Sequence, residues 1–154
     1  NIDNEWRYID GTSVKGIYGF DNNGNPTNGN GPWGNDGNEP NNFDGNERCI
    51  HIDATIQYMW NDNSCLDIYS PLCMRNQNKY FIGSTSSDNY TDAINYCSNN
   101  GGVLATIVKE NDYIDAQNIC NNRNCWIGLN RANNENVWQY TDGTSVSGTY
   151  GFDL

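Results

Sequence analysis

The chain has few basic residues. Its 154 residues include 8 Lys and Arg against 19 Asp and Glu, which gives a formal net charge of −11. A protein this acidic repels the phosphate backbone of nucleic acids instead of releasing its counterions, so nucleic acid is not an expected partner. Carboxylates in such excess suit either a solvated surface or divalent cations, and only the spacing of particular residues separates the two.

Long apolar runs are also missing. No stretch approaches the roughly 20 residues that a helix needs to span a bilayer, so we expect any signal peptide or anchor to lie outside this sequence. Histidine is nearly absent, and the single His51 has no Ser, Cys or Asp spacing that is typical of a catalytic triad. We therefore expect a protein that is not an enzyme.

The cysteines are even in number, and none of them forms a CxxC pair. Six cysteines without such pairs favour disulfides in an oxidising compartment over a zinc site. We therefore expect an extracellular protein, either secreted or at the cell surface. The cysteines are Cys49, Cys65, Cys73, Cys97, Cys120 and Cys125.

One segment occurs twice. Residues 6–21 recur as residues 138–153, and each residue of the second copy lies 132 positions after its counterpart. A repeat of that length is a whole small domain. The chain is therefore predicted to hold one domain equivalent plus an overlap, with its ends out of phase with the domain boundary.

Local patterns predict an α+β fold with two short helices and antiparallel sheets. Apolar residues three and four positions apart predict helices at 91–97 and 109–119. Residues 1–47 are rich in Gly and Asn and predict a long structured loop after one strand. Short β-prone runs predict strands at 49–56, 57–60, 69–74, 80–82, 125–129 and 137–140.

Oxygen-bearing side chains are densest around two short motifs. The first is Glu39-Pro40-Asn41-Asn42, followed by Glu47 just before a cysteine, and the second contains Asn61 and Asp62 just before the next cysteine. Calcium takes 6 to 8 oxygen ligands in irregular geometry, whereas zinc prefers His or Cys. The sequence therefore predicts a calcium site. Trp33 lies in the same loop and is the tryptophan best placed to stack on a sugar, while the other tryptophans are expected in the core.

These motifs resemble those of the C-type lectin-like domain. That family has an EPN tripeptide in a long loop, a later glutamate before a cysteine and a WND triplet before the next cysteine, and residues 126–129 are similar to its WIGL motif. The resemblance implies the C-type lectin-like fold with a long calcium-binding loop, and a cis Pro40. It also implies that one calcium ion binds mannose, fucose or N-acetylglucosamine through two sugar hydroxyls. The residues that match this metal- and carbohydrate-binding site are Glu39, Asn41, Glu47, Asn61 and Asp62.

The order of the motifs departs from the family. Residues 1–79 are similar to the C-terminal half of such a domain and residues 80–154 to the N-terminal half of the next one. Either the chain is a slice of a tandem array, or it closes on itself as a circular permutant. The duplicated segment favours the array, because a closed permutant has no use for a second copy.

The disulfide pairing implied by the resemblance depends on that choice. The family pairs Cys49 with Cys65 and Cys73 with Cys97, and leaves Cys120 and Cys125 as a local pair. In an array, Cys73 and Cys97 would each bond to a cysteine outside this sequence. In a permutant they would bond to each other.

Two functions follow as expectations. The first is a calcium-dependent lectin module of a tandem-repeat protein, with glycans as partners. The second is a structural repeat unit of an extracellular filament or surface appendage, in which calcium is structural and the partners are neighbouring repeats. Asn89 begins an Asn-Tyr-Thr sequence and is a predicted glycosylation acceptor in either case.

Overall fold

Seven strands and two α-helices make up the described part of the chain. The computed structural model describes residues 6–10, 12–15, 18–20, 32–34, 39–75, 79–83, 88–107 and 109–131. The predicted strand at 137–140 and the second copy of the duplicated segment lie outside these ranges. The elements are β1 (Trp6–Tyr8), β2 (Glu47–Asp53), β3 (Met59–Ser64), β4 (Ser70–Arg75), β5 (Lys79–Ile82), α1 (Tyr90–Asn99), β6 (Val103–Leu104), α2 (Glu110–Cys120) and β7 (Cys125–Arg131).

The strands form a mixed sheet in the order β3-β2-β7-β4-β5, with β1 paired to β7 and β6 paired to β4. Among these seven strands, the pairings are antiparallel except the one between β4 and β7, where Ser70 pairs with Cys125 and Pro71 with Trp126. The α+β class with two short helices is thus confirmed. The parallel pairing between β4 and β7 differs from the predicted antiparallel sheets. It joins the β2–β3 part of the sheet to the β4–β5 hairpin.

The two helices begin at residues that satisfy free backbone N–H groups. The Asn89 side chain accepts a hydrogen bond from the Asp92 N–H at 3.0 Å at the start of α1. At the start of α2, Asp112 Oδ2 accepts from the Lys109 N–H at 3.0 Å. Such caps stabilise a helix by about 1 kcal/mol each. Both helices begin within one residue of the predicted positions.

The predicted strand at 49–56 is interrupted. β2 ends at Asp53, whose side chain accepts from the Thr55 N–H at 2.8 Å and starts a short 3-10 turn at Ala54–Ile56. Gln57 and Tyr58 then have positive φ angles of 62° and 64°, which turn the chain back. As a result, β3 begins at Met59 and extends past Trp60 through the polar residues of the second motif.

Aromatic side chains fill the core below the long loop. Trp33 and Trp60 are both fully buried and meet edge to face at 5.4 Å between ring centroids. Trp6 lies 5.9 Å and Phe20 lies 5.6 Å from the Trp33 ring. The hypothesis that Trp33 stacks on a sugar is therefore wrong, because its ring is enclosed by other aromatic residues.

All six cysteines are paired. The bonds are Cys49–Cys65, Cys73–Cys97 and Cys120–Cys125, with Cα–Cα distances of 5.2, 5.4 and 6.1 Å. The second of these bonds is the one that closure of a single chain requires, and β4 and β5 pair as the matching hairpin from Leu72↔Ile82 to Arg75↔Lys79. The tandem array stays a prediction, since a single chain does not test it.

No helix within the described ranges is both long enough and apolar enough to cross a membrane.

Candidate functional site

The Glu39 loop is held against strand β3 at its root. The Trp60 N–H donates to the Pro32 carbonyl at 2.6 Å, and the Gly34 N–H donates to the Trp60 carbonyl at 3.0 Å. The Glu39 N–H in turn donates to the Gly34 carbonyl at 3.2 Å. Because the loop runs beside Trp60, Glu39 lies next to the residues that follow Trp60 in β3. This contact brings the two predicted motifs together although they lie about 20 residues apart in the chain.

Asp62 holds the backbone of the loop by hydrogen bonds. Its side chain is fully buried, and its Oδ1 and Oδ2 accept hydrogen bonds from the Asn41 and Asn42 N–H groups at 2.9 and 3.0 Å. Glu39 Oε1 accepts from the Asn41 side-chain amide at 2.9 Å, and Glu39 Oε2 accepts from the Asn41 N–H at 3.2 Å. The Glu39–Pro40 peptide bond is cis, as the resemblance implies. Glu39, Asn41 and Asp62 therefore form one hydrogen-bonded network.

Glu47 joins this network through the backbone of a tight turn. Its Oε2 accepts from the Phe43 N–H at 2.5 Å, and the same N–H lies 2.8 Å from Asn41 Oδ1. The Glu47 N–H donates to Asn42 Oδ1 at 3.1 Å. Asn42 and Asp44 have φ angles of 50° and 57° in this turn, a conformation that Asn and Asp adopt more readily than most residues.

Asn61 and the Cys49–Cys65 bond lie beside this network. Asn61 is half-buried and precedes Asp62 in β3, where it pairs with His51 of β2. The disulfide lies beside the paired ends of these strands, where Glu47 faces Ser64 and Cys49 faces Asn63. The bond thereby keeps Glu47, near the start of β2, close to the end of β3 that follows the second motif.

The carboxylates of the site are held in an unfavourable electrostatic environment. Glu39 is 4% exposed, and burial, followed by the hydrogen bond and repulsion from Asp62, raises its pKa to about 8. Burial also raises the pKa of Glu47, and the negative charge of Asp62 adds to this rise. Such a cluster is relieved either by taking up a proton or by binding a cation.

The donor set fits calcium by chemistry, although the acids alone do not enclose an ion. Within the described ranges, no three His, Cys, Asp or Glu side chains are grouped so that they hold a metal by themselves. Glu39 and Asp62 are adjacent, whereas Glu47 is joined to them through Phe43 and Asn42, and the other donors are Asn oxygens. Each carboxylate oxygen has two lone pairs, so an oxygen that accepts a backbone N–H can also coordinate a cation. Calcium accepts such a mixture of carboxylate and amide oxygens.

Two residues of the site were missed in the sequence. Asn42 contributes both its N–H and its side-chain oxygen to the network, and Phe43 donates from its N–H while its ring is 69% exposed. The signal for Asn42 is the second Asn after the EPN tripeptide. The signal for Phe43 is an isolated aromatic residue in an otherwise polar loop.

The remaining predicted residues have structural positions. His51 is fully buried in β2, stacks on Tyr69 at 4.2 Å and lies 3.3 Å from Asp53 Oδ2 through its Nε2. Asn89 is the N-cap of α1 described above. Its Oδ1 is engaged with the backbone, while a glycan would attach at Nδ2.

Part of the chain is similar to C-type lectin domains of known proteins. Residues 86–152 match the Lectin C-type domain family. The chain is 35% identical over 75 residues to C-type lectin domain family 4 member M of Nomascus concolor, which is 47% of this chain and 18% of that protein. It is 35% identical over 75 residues to CD209 antigen-like protein 2 of Macaca mulatta (47% of this chain, 29% of that protein), and 38% identical over 71 residues to the CD209 antigen of Pongo pygmaeus (45% and 17%). No solved structure gives a significant match.

The family match covers the part of the chain with α1, α2 and β7, and it ends inside the second copy of the duplicated segment. The loop from Glu39 to Asp62 lies outside residues 86–152. The lectin-like assignment and the candidate calcium site therefore rest on different parts of the sequence. The family model that matches residues 86–152 describes a lectin domain.

Proposed function

We propose that this chain, which carries a C-type lectin-like domain, is a calcium-dependent carbohydrate-binding module that acts outside the cell. One observation carries the proposal, namely that Glu39, Asn41 and Asp62 share one network in which Glu39 is buried beside a second carboxylate. Burying two carboxylates side by side is unfavourable unless a proton or a cation compensates them. A bound cation is the compensation that also creates a ligand site.

Each residue of the candidate site has a distinct role in this proposal. Asp62 fixes the backbone of the loop through the Asn41 and Asn42 N–H groups, and Glu39 orients the Asn41 side chain. Calcium, when bound, supplies coordination positions that two neighbouring sugar hydroxyls can fill. The residues that would hold the ion, and hydrogen-bond the hydroxyls, are Glu39, Asn41, Glu47, Asn61 and Asp62.

The sugar class follows from the first motif by resemblance. A Glu-Pro-Asn sequence goes with mannose, fucose and N-acetylglucosamine in this family, as opposed to galactose. The glutamate at 39 accepts hydrogen bonds and the amide at 41 can donate one, so the order of acceptor and donor along the loop sets which hydroxyl pair fits. Exchanging the two side-chain types is therefore the most direct change of specificity.

The test is binding to immobilised mannan in millimolar calcium, repeated after addition of EDTA. Binding that disappears with the chelator is expected, and binding that persists in EDTA would contradict calcium dependence. The double variant Glu39→Gln with Asn41→Asp should lose mannan binding while it keeps the fold. Unchanged binding by this variant would contradict the assignment of the site.

A matched control is available on the exposed face of α2. Asp115 and Asn118 are both exposed, so Asp115→Asn with Asn118→Asp makes the same exchange of side-chain types without altering net charge. This control should bind mannan as the unaltered chain does. Equal losses in both double variants would point to a general change in charge distribution and not to the site.

An extracellular location is supported by the three disulfides, because such bonds persist in oxidising compartments. Glycans are then the expected partners. The Asn89 sequence would be accessible to glycosylation during secretion. A mass shift on glycosidase treatment, lost in Asn89→Gln, would test that modification.

A second candidate function is a structural repeat unit of an extracellular filament or surface appendage, in which calcium only stabilises the loop. The observation that favours it is the duplicated segment, because the 132-residue offset fits an array of whole domains. Electron microscopy of native material should then show filaments with a spacing of one domain. A discrete 17.3 kDa species in sedimentation of native material would contradict this function.

A further inference from the structure

The described residues of the first copy of the duplicated segment (6–10, 12–15 and 18–20) pack beside β7. We call the site that holds them the β7 slot; it is formed by β7 together with Thr106, Ile107, Trp33 and Trp60. Trp6 and Tyr8 of β1 pair with Arg131 and Leu129 of β7. The Ile9 N–H continues the pairing by donating to the Gly128 carbonyl at 2.6 Å. Trp6 and Tyr8 are each only 2% exposed, so the occupant of the slot is part of the core and not a surface strand.

The rest of the first copy is held by specific contacts farther along the slot. Tyr8 donates from its hydroxyl to the Ile107 carbonyl, and Asp10 Oδ2 accepts from the Thr106 hydroxyl at 2.6 Å. The Gly19 carbonyl accepts from the Trp33 indole at 2.7 Å. These contacts fix both ends of the segment.

Gly19 itself meets a strict steric requirement. Its φ is +92°, and a Cβ at this position would lie 2.9 Å from Pro32 Cγ and 3.0 Å from the Trp60 ring. Only glycine fits such a position without strain. A second segment can occupy the slot only if it too has glycine there.

The second copy satisfies every one of these requirements. Twelve of the sixteen positions are identical, and the residues whose side chains or glycine conformation make the contacts above are retained, while Ile9, which contributes only its N–H, corresponds to Thr141. Of the differing positions that the structure describes, Lys15 is exposed and corresponds to Ser147, Ile9 is half-buried and corresponds to Thr141, and Arg7 is buried and corresponds to Gln139. The retained residues include Trp138, Tyr140, Asp142, Val146, Tyr150, Gly151 and Phe152.

The second copy is also tethered at the right place. In the slot, Trp138 would face Arg131, and six residues separate the two in the chain. Antiparallel partners lie about 5 Å apart, whereas six residues can span about 20 Å. Residues 132–137 are therefore long enough to form a hairpin loop, and the second copy can reach the slot of its own chain.

We propose that the β7 slot accepts either copy, and that residues 138–153 and residues 6–21 of one chain exchange in it. The slot holds one copy at a time, so the other copy is released whenever its counterpart is seated. This inference goes beyond the proposed carbohydrate binding and does not depend on it. The partner that the slot recognises is thus a second segment of the same chain.

The experiment compares three variants of the full 154-residue chain, namely Trp6→Ala, Trp138→Ala and the double variant, by denaturant unfolding. If the copies exchange, either single variant still has one intact copy, and its unfolding equilibrium constant should change by only about twofold. The double variant has no intact copy. Since loss of a buried Trp side chain is severely destabilising, its unfolding constant should rise by roughly a hundredfold or more.

The other outcomes contradict the proposal. A Trp6→Ala chain that is as unstable as the double variant, or that fails to fold, would show that the second copy does not enter the slot. A double variant that is no less stable than the single variants would show that this tryptophan is not what the slot recognises. Rescue of Trp6→Ala that grows with protein concentration would show exchange between chains and overturn the single-chain form.

Hydrogen exchange followed by mass spectrometry gives a second readout. In the Trp6→Ala chain, slow exchange should move from peptides that cover 6–10 to peptides that cover 138–142. Trp138→Ala is the matched control and should keep slow exchange in the first copy. Protection that stays in the first copy of Trp6→Ala, or that is absent from both copies, overturns the proposal.

Discussion

Two buried aspartates, one in each half of the molecule, show how similar residues serve different ends. In the helical half, residues 88–131, Asp112 is 7% exposed and accepts from the Lys109 N–H at the start of α2. In the loop half, residues 39–75, Asp62 is fully buried and accepts from the Asn41 and Asn42 N–H groups. Both carboxylates therefore satisfy free backbone donors.

The difference lies in the neighbours. Asp112 caps a helix, where the positive end of the helix dipole favours a negative charge. Asp62 lies against Glu39, whose pKa it helps to raise to about 8. A buried carboxylate that accepts from backbone N–H groups is thus not by itself a sign of a binding site. A second carboxylate beside it, with no helix to favour the charge, is the feature that distinguishes the loop half.

The largest expected effect concerns the bond that holds the two halves together. Removing the Cys73–Cys97 pair by Cys73→Ala with Cys97→Ala should lower the free energy of unfolding by about 3–4 kcal/mol, because the bond closes a long loop. The matched variant Cys120→Ala with Cys125→Ala opens a much shorter loop and should lose only about 2 kcal/mol. Denaturant unfolding measures both. Equal losses would mean that loop length does not govern these disulfides.

The next effect separates the two aspartates directly. Asp62→Ala should weaken mannan binding by roughly a hundredfold or more, since it removes a proposed calcium ligand and frees two backbone N–H groups, worth about 2.7 kcal/mol or more. Asp112→Ala should leave binding unchanged and lower the unfolding free energy by about 1 kcal/mol through loss of the cap. Binding assays and unfolding curves of both variants check this. Loss of binding in Asp112→Ala would contradict the division of roles.

Calcium should stabilise the loop half and leave the helical half nearly unaffected. At a calcium concentration ten times the dissociation constant, the unfolding free energy should rise by about 1.4 kcal/mol. Hydrogen exchange should slow around Asn41 and Asn42, with little change in α1. Asp62→Ala is the control and should show no stabilisation, whereas an equal gain in that variant would place the ion elsewhere.

The last expected effect is a dependence on pH in the absence of calcium. The pKa of Glu39 is raised from its ordinary value to about 8 in the folded chain, so the folded state holds a proton that the unfolded state releases at lower pH. Stability should therefore decrease as pH rises from about 4.5 to about 8, and level off above that. Denaturant midpoints at several pH values in EDTA measure the decrease. Glu39→Gln should abolish it, and a stability that rises across this range would contradict the burial of Glu39.

The helical half was the easier one to predict from sequence. The expected helices at 91–97 and 109–119 correspond to α1 (Tyr90–Asn99) and α2 (Glu110–Cys120). Their boundaries are set locally, by apolar spacing and by capping side chains such as Asn89. A single sequence contains these signals in full.

The loop half was predicted through motifs and not through local propensity. Residues 61–64 consist of polar residues that β-strands normally disfavour, yet they lie in β3 because β2 pairs with them. Likewise, the network that includes Asn42 depends on its N–H donating to Asp62, which lies 20 residues farther along the chain. No local pattern contains that pairing, so the resemblance supplied the site residues but not the way they are held.

The choice between the two copies of the duplicated segment could not be predicted for a different reason. Trp6 and Trp138, and Tyr8 and Tyr140, are the same residue types in the same order. Their local preferences and their contacts in the slot are therefore equal to a first approximation. The copies differ at four positions and in the route by which each is connected to β7.

The three disulfides also divide the backbone into protected and unprotected stretches. A protease that cut after Arg75, or after Arg123, would break the polypeptide inside a ring closed by Cys73–Cys97 or Cys120–Cys125. The fragments would stay covalently joined and would separate only after reduction. A cut after Lys109 falls between these rings, so no disulfide would join the two fragments, and noncovalent packing, such as that of β7 between β2 and β4, would hold them together. In a medium that contains proteases, the connection between the two halves could thus be cleaved while the fragments stay joined.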